Sequence, residues 1–221
     1  MLCVKTIKQA QLETSPFRYT VIPQCFDTVT LNKLWEHLPG CNYYRSVRTT
    51  GSDKFYNVVN NILLKLGSNT ANAESKLNLP WLLLVNTLKS KSYLEALSQV
   101  LQENLLDCPL EITLKRYGYG DFISSHTDKE NVRATHMIFL NQVWEESWGG
   151  QLCFLYDKHT VFKKFLPIAQ HSIAFVRANN SWHTVEPITK PNIERIAIQV
   201  AFWNITERIV LAGRKEEKVE V

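Results

Sequence analysis

The sequence predicts a mainly β fold, a sandwich or barrel braced on one side by helices. From residue 110 onward the segments are short, rich in β-branched and aromatic residues, and separated by turn residues. Before residue 108 the apolar residues recur at helical spacing instead. Strands preceded by helices in this way favour a sheet structure with a helical layer on one face.

Two helices are predicted in the first half of the chain. Asp27 and Thr28 offer an N-cap to a short amphipathic helix over residues 31–38, which Pro39-Gly40 ends. Ser92 is the predicted cap of a longer helix that ends before Cys108-Pro109 and should pack on the sheet. Its apolar stripe contains Leu94, Leu97, Val100, Leu101 and Leu105.

The second half contains seven predicted strands. They cover residues 110–117, 136–141, 151–156, 161–166, 172–177, 182–187 and 195–204. We expect one domain over residues 1–221, with a helix-rich N-terminal support and lid (1–108), a strand-rich core (109–204) and a C-terminal tail (205–221). Residues 41–78 carry no clear period and are interpreted as a mobile cover, and the charged residues 214–221 are expected to fray.

Composition excludes several classes of protein. The net charge of +4 comes from 25 basic and 21 acidic residues spread along the chain, so it does not argue for a nucleic-acid partner. Five widely spaced cysteines without a CxxC pair indicate neither a disulfide framework nor a zinc cluster, and a reducing setting fits them. No apolar signal segment opens the chain, and the longest apolar run, 81–85, cannot span a bilayer. We therefore expect a soluble, cytoplasmic protein without a membrane partner.

A candidate iron site combines His126, Asp128 and His183. Residues i and i+2 of an extended strand project to the same face, so His126 and Asp128 can reach one cation. Two imidazoles and one carboxylate can occupy one face of a six-coordinate Fe(II), which leaves positions for a chelating co-substrate and dioxygen. An HxD pair alone is common by chance, but here it follows a glycine-containing turn, and His183 begins a later strand.

Arg195 begins the last predicted strand, twelve residues after His183. Alternation puts Arg195, Ala197, Gln199, Ala201 and Trp203 on the face inside the barrel, and the intervening apolar residues on the face toward the helices. An inward arginine is costly unless a carboxylate meets it. The neighbouring Glu194 points to the opposite face, so a bound dicarboxylate is the better partner.

In order and spacing, these motifs resemble the 2-oxoglutarate and Fe(II)-dependent dioxygenases, in particular their prolyl-4-hydroxylase-like branch. Residues of about 110–204 carry the resemblance through RYGYGDFISSHTD, WGGQL, WHTVEP and RIAIQVAFW. The resemblance implies a double-stranded β-helix core of the jelly-roll, cupin-like type. In one respect the chain departs from the family, because Gln170-His171 stands where relatives often have a glycine that opens a strand.

The resemblance also implies the roles of the site residues. His126, Asp128 and His183 would bind the catalytic iron, while Arg195 and Tyr117 would bind the distal carboxylate of 2-oxoglutarate. The co-substrates would be 2-oxoglutarate and O2, with ascorbate as an optional supporting reductant. The implied reaction hydroxylates an aliphatic carbon and releases succinate and CO2. Because Asp128 is present where halogenases carry a small residue, the chain is interpreted as a hydroxylase.

The substrate is expected to be an amino acid, a prolyl-type residue or a related small metabolite, free or bound to a peptide or carrier. Candidate substrate contacts are Arg116, Tyr119 and Trp182, and Arg45 and Arg48 are further cations that could bind an acidic group. For Trp182, core packing is favoured over substrate contact. His37, His136, His159 and His171 are interpreted as ordinary solvated or hydrogen-bonded residues, and Gly149-Gly150 as a tight entry to a strand.

The sequence leaves two alternative functions. The motif RYGYGDFISSHTDKEN also resembles nucleic-acid demethylating dioxygenases, but those carry a further arginine six residues after the first on the last strand, where this chain has Ala201. The other alternative is a catalytically silent binding or sensor barrel, against which the full ligand set argues. The choice of substrate should depend chiefly on residues 41–78 and 141–147, which contain no motif that identifies it.

Overall fold

The computed structural model describes residues 2–51, 54–66 and 77–204, together with the backbone of 218–220. The described helices are α1 (Val4–Gln9), α2 (Thr28–Glu36), α3 (Leu79–Lys89) and α4 (Lys91–Leu101). The strands of the first half are β1 (Leu12–Glu13), β2 (Tyr19–Pro23), β3 (Tyr44–Arg48) and β4 (Tyr56–Leu64). Those of the second half are β5 (Leu110–Tyr117), β6 (Phe122–His126), β7 (Val132–Phe139), β8 (Leu152–Leu155), β9 (Val161–Phe165), β10 (His171–Val176), β11 (His183–Val185), β12 (Arg195–Trp203) and β13 (Lys218–Glu220).

The strands form one curled antiparallel sheet. Along its main path the order is β1-β2-β10-β7-β12-β5-β4-β6-β11-β8-β9, and β3 pairs with β4 on one side and β13 on the other. Because β4 pairs with both β5 and β6, it links a larger layer to the smaller layer that carries β6 and β11. The mainly β fold with flanking helices, predicted from the sequence, is confirmed.

The two faces of β12 belong to two different apolar cores. Ile196, Ile198, Val200 and Phe202 pack with residues of all four helices, including Trp81 of α3 and Leu97 of α4. Ala197 of the other face belongs to the core between the two strand layers, with Tyr117, Phe139 and Phe175. The alternation predicted for this strand is therefore confirmed, and Arg195 projects from its inner face.

The helix boundaries follow local hydrogen bonds. Asp27 caps α2 as predicted, since its Oδ1 accepts from the backbone N–H of Thr30 at 2.7 Å. The cap of α4 is Ser90 rather than Ser92, because the Oγ of Ser90 accepts from the N–H of Tyr93 at 3.3 Å. That helix ends at Leu101, before the apolar stripe does, since Gln102 adopts a left-handed conformation with φ 51°. Among the described residues, none of the helices is long and apolar enough to cross a membrane.

The interpretation of residues 41–78 as a mobile cover is wrong for much of that segment. It contains β3 and β4, and β4 lies inside the sheet. The burial of β4 does not alternate regularly, because neighbouring residues such as Asn60 and Asn61 are both buried, so no period of two marked it as a strand. Residues 52–53 and 67–76 of the predicted cover lie outside the described residues.

The expectation of a frayed C-terminus is wrong for residues 218–220. They form β13, which pairs antiparallel with β3 in the register Lys218↔Ser46 to Glu220↔Tyr44. The open edge of β3 supplies backbone donors and acceptors that a charged segment can pair with, whatever its side chains. Residues 205–217 and 221, the rest of the predicted tail, lie outside the described part of the chain.

Candidate metal and co-substrate site

His126 and His183 lie opposite each other on neighbouring strands. His126 is the last residue of β6 and pairs with His183, the first residue of β11. Their ring centroids are 4.2 Å apart, and both residues are buried. Two imidazoles separated by 57 positions in the sequence are thus brought together by the pairing of two short strands.

Backbone carbonyls orient both imidazoles in the same way. The Nδ1 of His126 lies 2.8 Å from the carbonyl of Ser124, and the Nδ1 of His183 lies 3.0 Å from the carbonyl of Ser181. Because a carbonyl oxygen only accepts, each Nδ1 must carry the proton and donate it. Each Nε2 is then left with a lone pair, which is the state that binds a metal.

Asp128 completes the cluster from the loop that follows β6. Its Oδ1 lies 3.9 Å from the Nε2 of His126 and 3.8 Å from the Nε2 of His183. The other oxygen, Oδ2, accepts a hydrogen bond from the hydroxyl of Thr135 at 2.8 Å. One ligand atom from each of the three residues lies within 4.8 Å of the other two, as a shared metal ion requires.

The prediction that His126 and Asp128 lie on one face of the same strand is wrong. The strand β6 ends at His126, so Asp128 reaches the site from a loop. Thr135 of β7 positions its carboxylate, and Arg177 holds its backbone, since the Nε of Arg177 donates to the backbone carbonyl of Asp128 at 3.3 Å. The three predicted residues are nonetheless brought together.

Burial keeps both histidines neutral. It lowers the pKa of His126 well below the ordinary 6.5, and the nearby His183 and Lys54 lower it further. Burial also lowers the pKa of His183, although the carboxylate of Asp128 opposes this shift. Neutral imidazoles with an outward Nε2 fit the donor set of a divalent transition metal.

Arg195 is fully buried and lacks a protein acceptor among the described residues. Its side chain is 0% exposed, and none of its three guanidinium nitrogens has a hydrogen-bond partner there. The guanidinium lies over aromatic rings instead, 4.6 Å from the ring centroid of Tyr117 and 5.3 Å from that of Phe139. Glu194 does not reach it, as predicted, because that carboxylate pairs with Arg116 on the outside of the barrel.

Burial lowers the pKa of Arg195, and Tyr117 opposes the shift. An arginine remains charged in proteins even so, and a buried, unpaired charge costs several kcal/mol, to order of magnitude. A bound carboxylate would remove most of that cost. Arg195 therefore fits an organic acid that enters the barrel.

Tyr117 lies directly opposite Arg195 in the pairing of β5 with β12. Its side chain is fully buried, and burial raises its pKa to about 12. The phenol therefore keeps its proton at neutral pH and can donate a hydrogen bond to an anion beside Arg195. Both residues predicted for the co-substrate lie next to each other.

Two glycines close the wall beside Arg195. Gly149 has φ +71°, and a Cβ there would lie 2.0 Å from the carbonyl oxygen of Pro187. Gly150 has φ +70°, and its Cβ would lie 2.4 Å from Cδ1 of Ile188 and 3.4 Å from Cδ of Arg195. The tight strand entry predicted for this pair is confirmed, because no larger residue fits the close approach of the backbones.

The structure does not bring all the predicted substrate residues to the metal. Arg116 projects from the face of β5 opposite to Tyr117, and its guanidinium lies 5.0 Å from the ring centroid of Tyr43. Tyr119 is 69% exposed in the turn after β5. Trp182 directly precedes His183 and is partly exposed. Arg45 is used elsewhere, since its Nη1 lies 2.6 Å from Oδ1 of the buried Asp121.

His136 belongs to a buried network on the helical side of the sheet. Its Nδ1 lies 2.8 Å from the hydroxyl of Tyr93 and its Nε2 lies 2.8 Å from Oγ of Ser172. The interpretation of this histidine as a hydrogen-bonded core residue is confirmed. Thr135 was missed, because a hydroxyl beside His136 in a mostly apolar strand gave no distinctive signal in the sequence.

A groove of about 760 Å³ leads to the metal cluster along the inner face of the larger layer. Its walls come from β3, β4, β5 and β12, and Asp128 is one of the residues that line it. Polar and charged residues line much of it, among them Arg48, Lys54, Lys115 and Gln199. We call this feature the polar groove. A volume of this size suits a small molecule or a short peptide.

Residues 112–203 match the model of a protein family described as the 2OG-Fe(II) oxygenase superfamily. The matched segment begins in β5, ends with β12, and contains the metal cluster together with Tyr117 and Arg195. No curated protein matches the chain.

Solved structures of similar fold cover almost the whole chain. A prolyl 4-hydroxylase of Pseudomonas putida is 14% identical with a TM-score of 0.55, over 91% of this chain and 98% of its own. A 2OG-Fe(II) oxygenase-family oxidoreductase of Burkholderia pseudomallei is 12% identical with a TM-score of 0.64, over 91% of both chains. A third structure is a prolyl hydroxylase of Trichoplax adhaerens in complex with a peptide fragment of the hypoxia inducible factor oxygen degradation domain. It is 14% identical with a TM-score of 0.58, over 96% of this chain and 93% of its own.

These likenesses show the jelly-roll, double-stranded β-helix fold that the sequence predicted. The family match covers the segment that contains all three candidate ligands. Over residues 112–203 the chain is therefore similar to the 2OG-Fe(II) oxygenase superfamily, its fold is that of solved prolyl-4-hydroxylase-like enzymes, and these likenesses indicate an oxidoreductase of the dioxygenase class.

Proposed function

We propose that this protein hydroxylates an aliphatic carbon of an amino acid, a prolyl-type residue or a related small metabolite, and releases succinate and CO2. One observation carries the proposal: a buried arginine without a protein acceptor in the described structure lies in the same barrel as a His-Asp-His cluster. The metal cluster alone is compatible with many reactions. Because this arginine needs a carboxylate partner, the site favours reactions that use an organic acid as co-substrate.

In this proposal His126, Asp128 and His183 hold Fe(II). Bound iron, with 2-oxoglutarate and O2, supplies the oxidising power that replaces a C–H bond of the substrate with C–OH. Ascorbate is an optional supporting reductant.

Arg195 and Tyr117 bind the distal carboxylate of 2-oxoglutarate. A guanidinium can donate two hydrogen bonds to one carboxylate, and the neutral phenol of Tyr117 can donate a third. The apolar core around them, which includes Phe139, keeps water away from this ion pair and so strengthens it. These residues orient the acid with its keto end toward the metal.

Relatives support the class of substrate without identifying it. The Trichoplax adhaerens enzyme is described with a peptide in its complex, and the Pseudomonas putida enzyme as a prolyl 4-hydroxylase. The polar groove, which Asp128 helps to line, supplies space for such a substrate here. The hydroxylated carbon would lie beside Asp128.

The proposal is tested by measuring succinate formed from 2-oxoglutarate by the purified protein with Fe(II) and ascorbate, with and without a panel of amino acids and prolyl peptides. We expect slow succinate formation without substrate, and stimulation by at least one panel member with a gain of 16 Da in its mass. Asp128→Ala should abolish both, whereas His159→Gln, in an exposed turn, should leave both unchanged. Equal succinate formation by Asp128→Ala and the unaltered protein would refute the proposal.

A further inference from the structure

Asp121 is a buried carboxylate in the turn that follows β5. Only 2% of its surface is exposed, although Tyr119 in the same turn is 69% exposed. A buried carboxylate is costly unless cations or N–H donors meet it. The contacts that Asp121 makes therefore indicate which parts of the structure it holds together.

Each carboxylate oxygen of Asp121 has a partner. Its Oδ1 accepts from Nη1 of Arg45 at 2.6 Å, and its Oδ2 accepts from the backbone N–H of Gly118 at 2.9 Å. Arg45 belongs to β3, and its Nη1 also donates to Oδ1 of Asn57 in β4 at 2.7 Å. The carboxylate thus joins the turn after β5 to β3 and β4.

The ion pair of Arg45 and Asp121 lies outside the polar groove. Tyr44 and Ser46 of β3 line the groove, and alternation along the strand puts Arg45 on the opposite face. Neither Arg45 nor Asp121 is among the described residues that line it. Any effect of the pair on the candidate site must therefore pass through the residues that it holds.

The first residue held in this way is Tyr117. Gly118 directly follows Tyr117, so its hydrogen bond to Asp121 fixes the peptide unit that carries the tyrosine. The N–H of Asp121 donates to the carbonyl of Gly118 at 3.0 Å and closes the turn. Burial is the main cause of the raised pKa of Tyr117 and Arg195 opposes it, whereas the carboxylate of Asp121 raises it further. Asp121 thus supports both the position and the protonated form of the phenol.

The second part held by the turn is the wall beside Arg195. The carbonyl of Asp121 accepts from the N–H of Ile188 at 3.2 Å, and the N–H of Gly120 donates to the carbonyl of Ile188 at 2.9 Å. Ile188 packs against Gly150, where a Cβ would lie 2.4 Å from Cδ1 of Ile188 and 3.4 Å from Cδ of Arg195. The turn is therefore bonded to two sides of the candidate carboxylate site.

We propose that Asp121 is a positioning residue for the co-substrate. It holds the phenol of Tyr117 where this group donates to the distal carboxylate of 2-oxoglutarate, and it does not itself contact the acid. Arg45 fixes Asp121 and balances its charge, which would otherwise repel the incoming anion. This inference rests on the proposed function and deepens it.

The test is a double-mutant cycle between Asp121 and Tyr117. Isothermal titration calorimetry under anaerobic conditions measures the binding of 2-oxoglutarate to the whole protein loaded with Mn(II). Tyr117→Phe should weaken this binding by about 10- to 100-fold, as expected for loss of a hydrogen bond to a charged group. Asp121→Asn should weaken it by at least about 3-fold in the unaltered protein, and by less than about 2-fold when Tyr117 is already Phe, because the phenol that it positions is then absent.

Three further measurements separate positioning from a general structural defect. The affinity of Asp121→Asn for Mn(II) without 2-oxoglutarate should stay within about 2-fold of that of the unaltered protein, because its contacts lead to Tyr117 and Ile188 and not to the metal ligands. Arg45→Gln should weaken 2-oxoglutarate binding in the same way, and Arg45→Lys, which keeps the charge, should restore part of it. Asp157→Asn, in an exposed turn, is the matched control and should change neither affinity.

Additive losses in the cycle, 2-oxoglutarate binding by Asp121→Asn equal to that of the unaltered protein, or an equal loss of Mn(II) affinity would each overturn the inference. If Asp121→Asn does not fold, as judged by circular dichroism, Arg45→Gln takes its place in the cycle with the same outcomes. The failure of the proposed function looks different. In that case the unaltered protein does not bind 2-oxoglutarate at all, which overturns both, whereas failure of the inference alone leaves that binding and its dependence on Tyr117 intact.

Discussion

His126 and His183 face each other across β6 and β11 with their ring centroids 4.2 Å apart, and each Nδ1 lies within 3.0 Å of the carbonyl two residues before it. The same local arrangement therefore orients both rings. Because the acceptor of each ring is the backbone carbonyl two residues earlier in the chain, the orientation of Nε2 depends on local backbone structure and not on a distant side chain. A site built in this way is arranged for the metal before the metal binds.

The first prediction concerns this pair. His183→Gln should weaken binding of Fe(II), or of Mn(II) as a stable substitute, by more than the roughly 10- to 100-fold typical of changes to residues behind the ligands. Isothermal titration calorimetry under anaerobic conditions measures the affinity. His37→Gln, an exposed histidine at the end of α2, is the matched control. Unchanged affinity in His183→Gln would remove this residue from the ligand set.

Thr135 supplies the second prediction, because its hydroxyl donates to Oδ2 of Asp128 at 2.8 Å. Thr135→Val keeps the shape of the side chain but removes its hydroxyl, so the carboxylate of Asp128 loses the hydrogen bond that orients it. We expect metal affinity to fall by about 10- to 100-fold with the fold retained, as judged by circular dichroism. Thr135→Ser restores the hydroxyl and should restore affinity. A valine variant that binds metal like the unaltered protein would show that Thr135 does not position Asp128.

The third prediction is that Arg195→Met raises the stability of the protein and weakens its binding of 2-oxoglutarate. Without co-substrate the variant should be more stable to urea, by about 1–4 kcal/mol, since it replaces an unpaired buried charge with an apolar chain of similar length. Its affinity for 2-oxoglutarate should fall by at least about 100-fold, because the carboxylate of the acid loses its cation. A merely structural arginine would show neither the gain in stability nor the loss of affinity.

The fourth prediction concerns pH. Burial lowers the pKa of His136 to about 3, whereas an unfolded chain has an ordinary histidine with a pKa of about 6.5. Between these values the unfolded chain binds a proton that the folded protein does not. This contribution to stability is thus complete above about pH 6.5 and is lost as the pH falls toward 3.

At pH 4.5 the free energy of unfolding should be lower by about 2–3 kcal/mol because of this histidine, at 1.36 kcal/mol per pKa unit. His136→Gln lacks the titrating group, so its urea stability should fall less between pH 7 and pH 4.5 than that of the unaltered protein. The comparison uses the change with pH and not the absolute stability, because the variant also alters the hydrogen bonds to Tyr93 and Ser172. Parallel pH profiles would contradict the prediction.

The strands of the second half were predictable because their side chains differ between two faces. β5 has the bounds predicted, and β12 differs from its prediction by one residue. β7 begins at Val132, four residues earlier than predicted, and its last six residues are all buried, so alternation gives no boundary there. β6 is not among the seven strands whose bounds were predicted, because it is five residues long and follows a turn directly. Residues with both faces covered carry little periodic signal.

Some residues of the candidate site could be predicted from the sequence, and others could not. His126, Asp128 and His183 were identifiable from the spacing of the HxD pair and from the family resemblance of the surrounding motifs, and Arg195 also from its inward position on the last strand. Thr135 was not identifiable, because a single threonine in a strand is ordinary and its role appears only when β7 lies beside the loop of Asp128. Arg116 was predicted as a substrate contact because of its charge, but the alternation of β5 directs it to the outside, where Glu194 pairs with it.

The sequence by itself determined which residue types are present and which face of each strand they occupy, since both follow from the covalent order and the period of two. Only the tertiary structure decided that four residues from three separate parts of the chain meet in one barrel, and that Arg195 has no protein acceptor among the described residues. The physical reason is that such proximity is created by strand pairing over long sequence separations, as between His126 and His183. Whether a buried charge has a partner depends on everything that packs around it, and no local pattern contains that information.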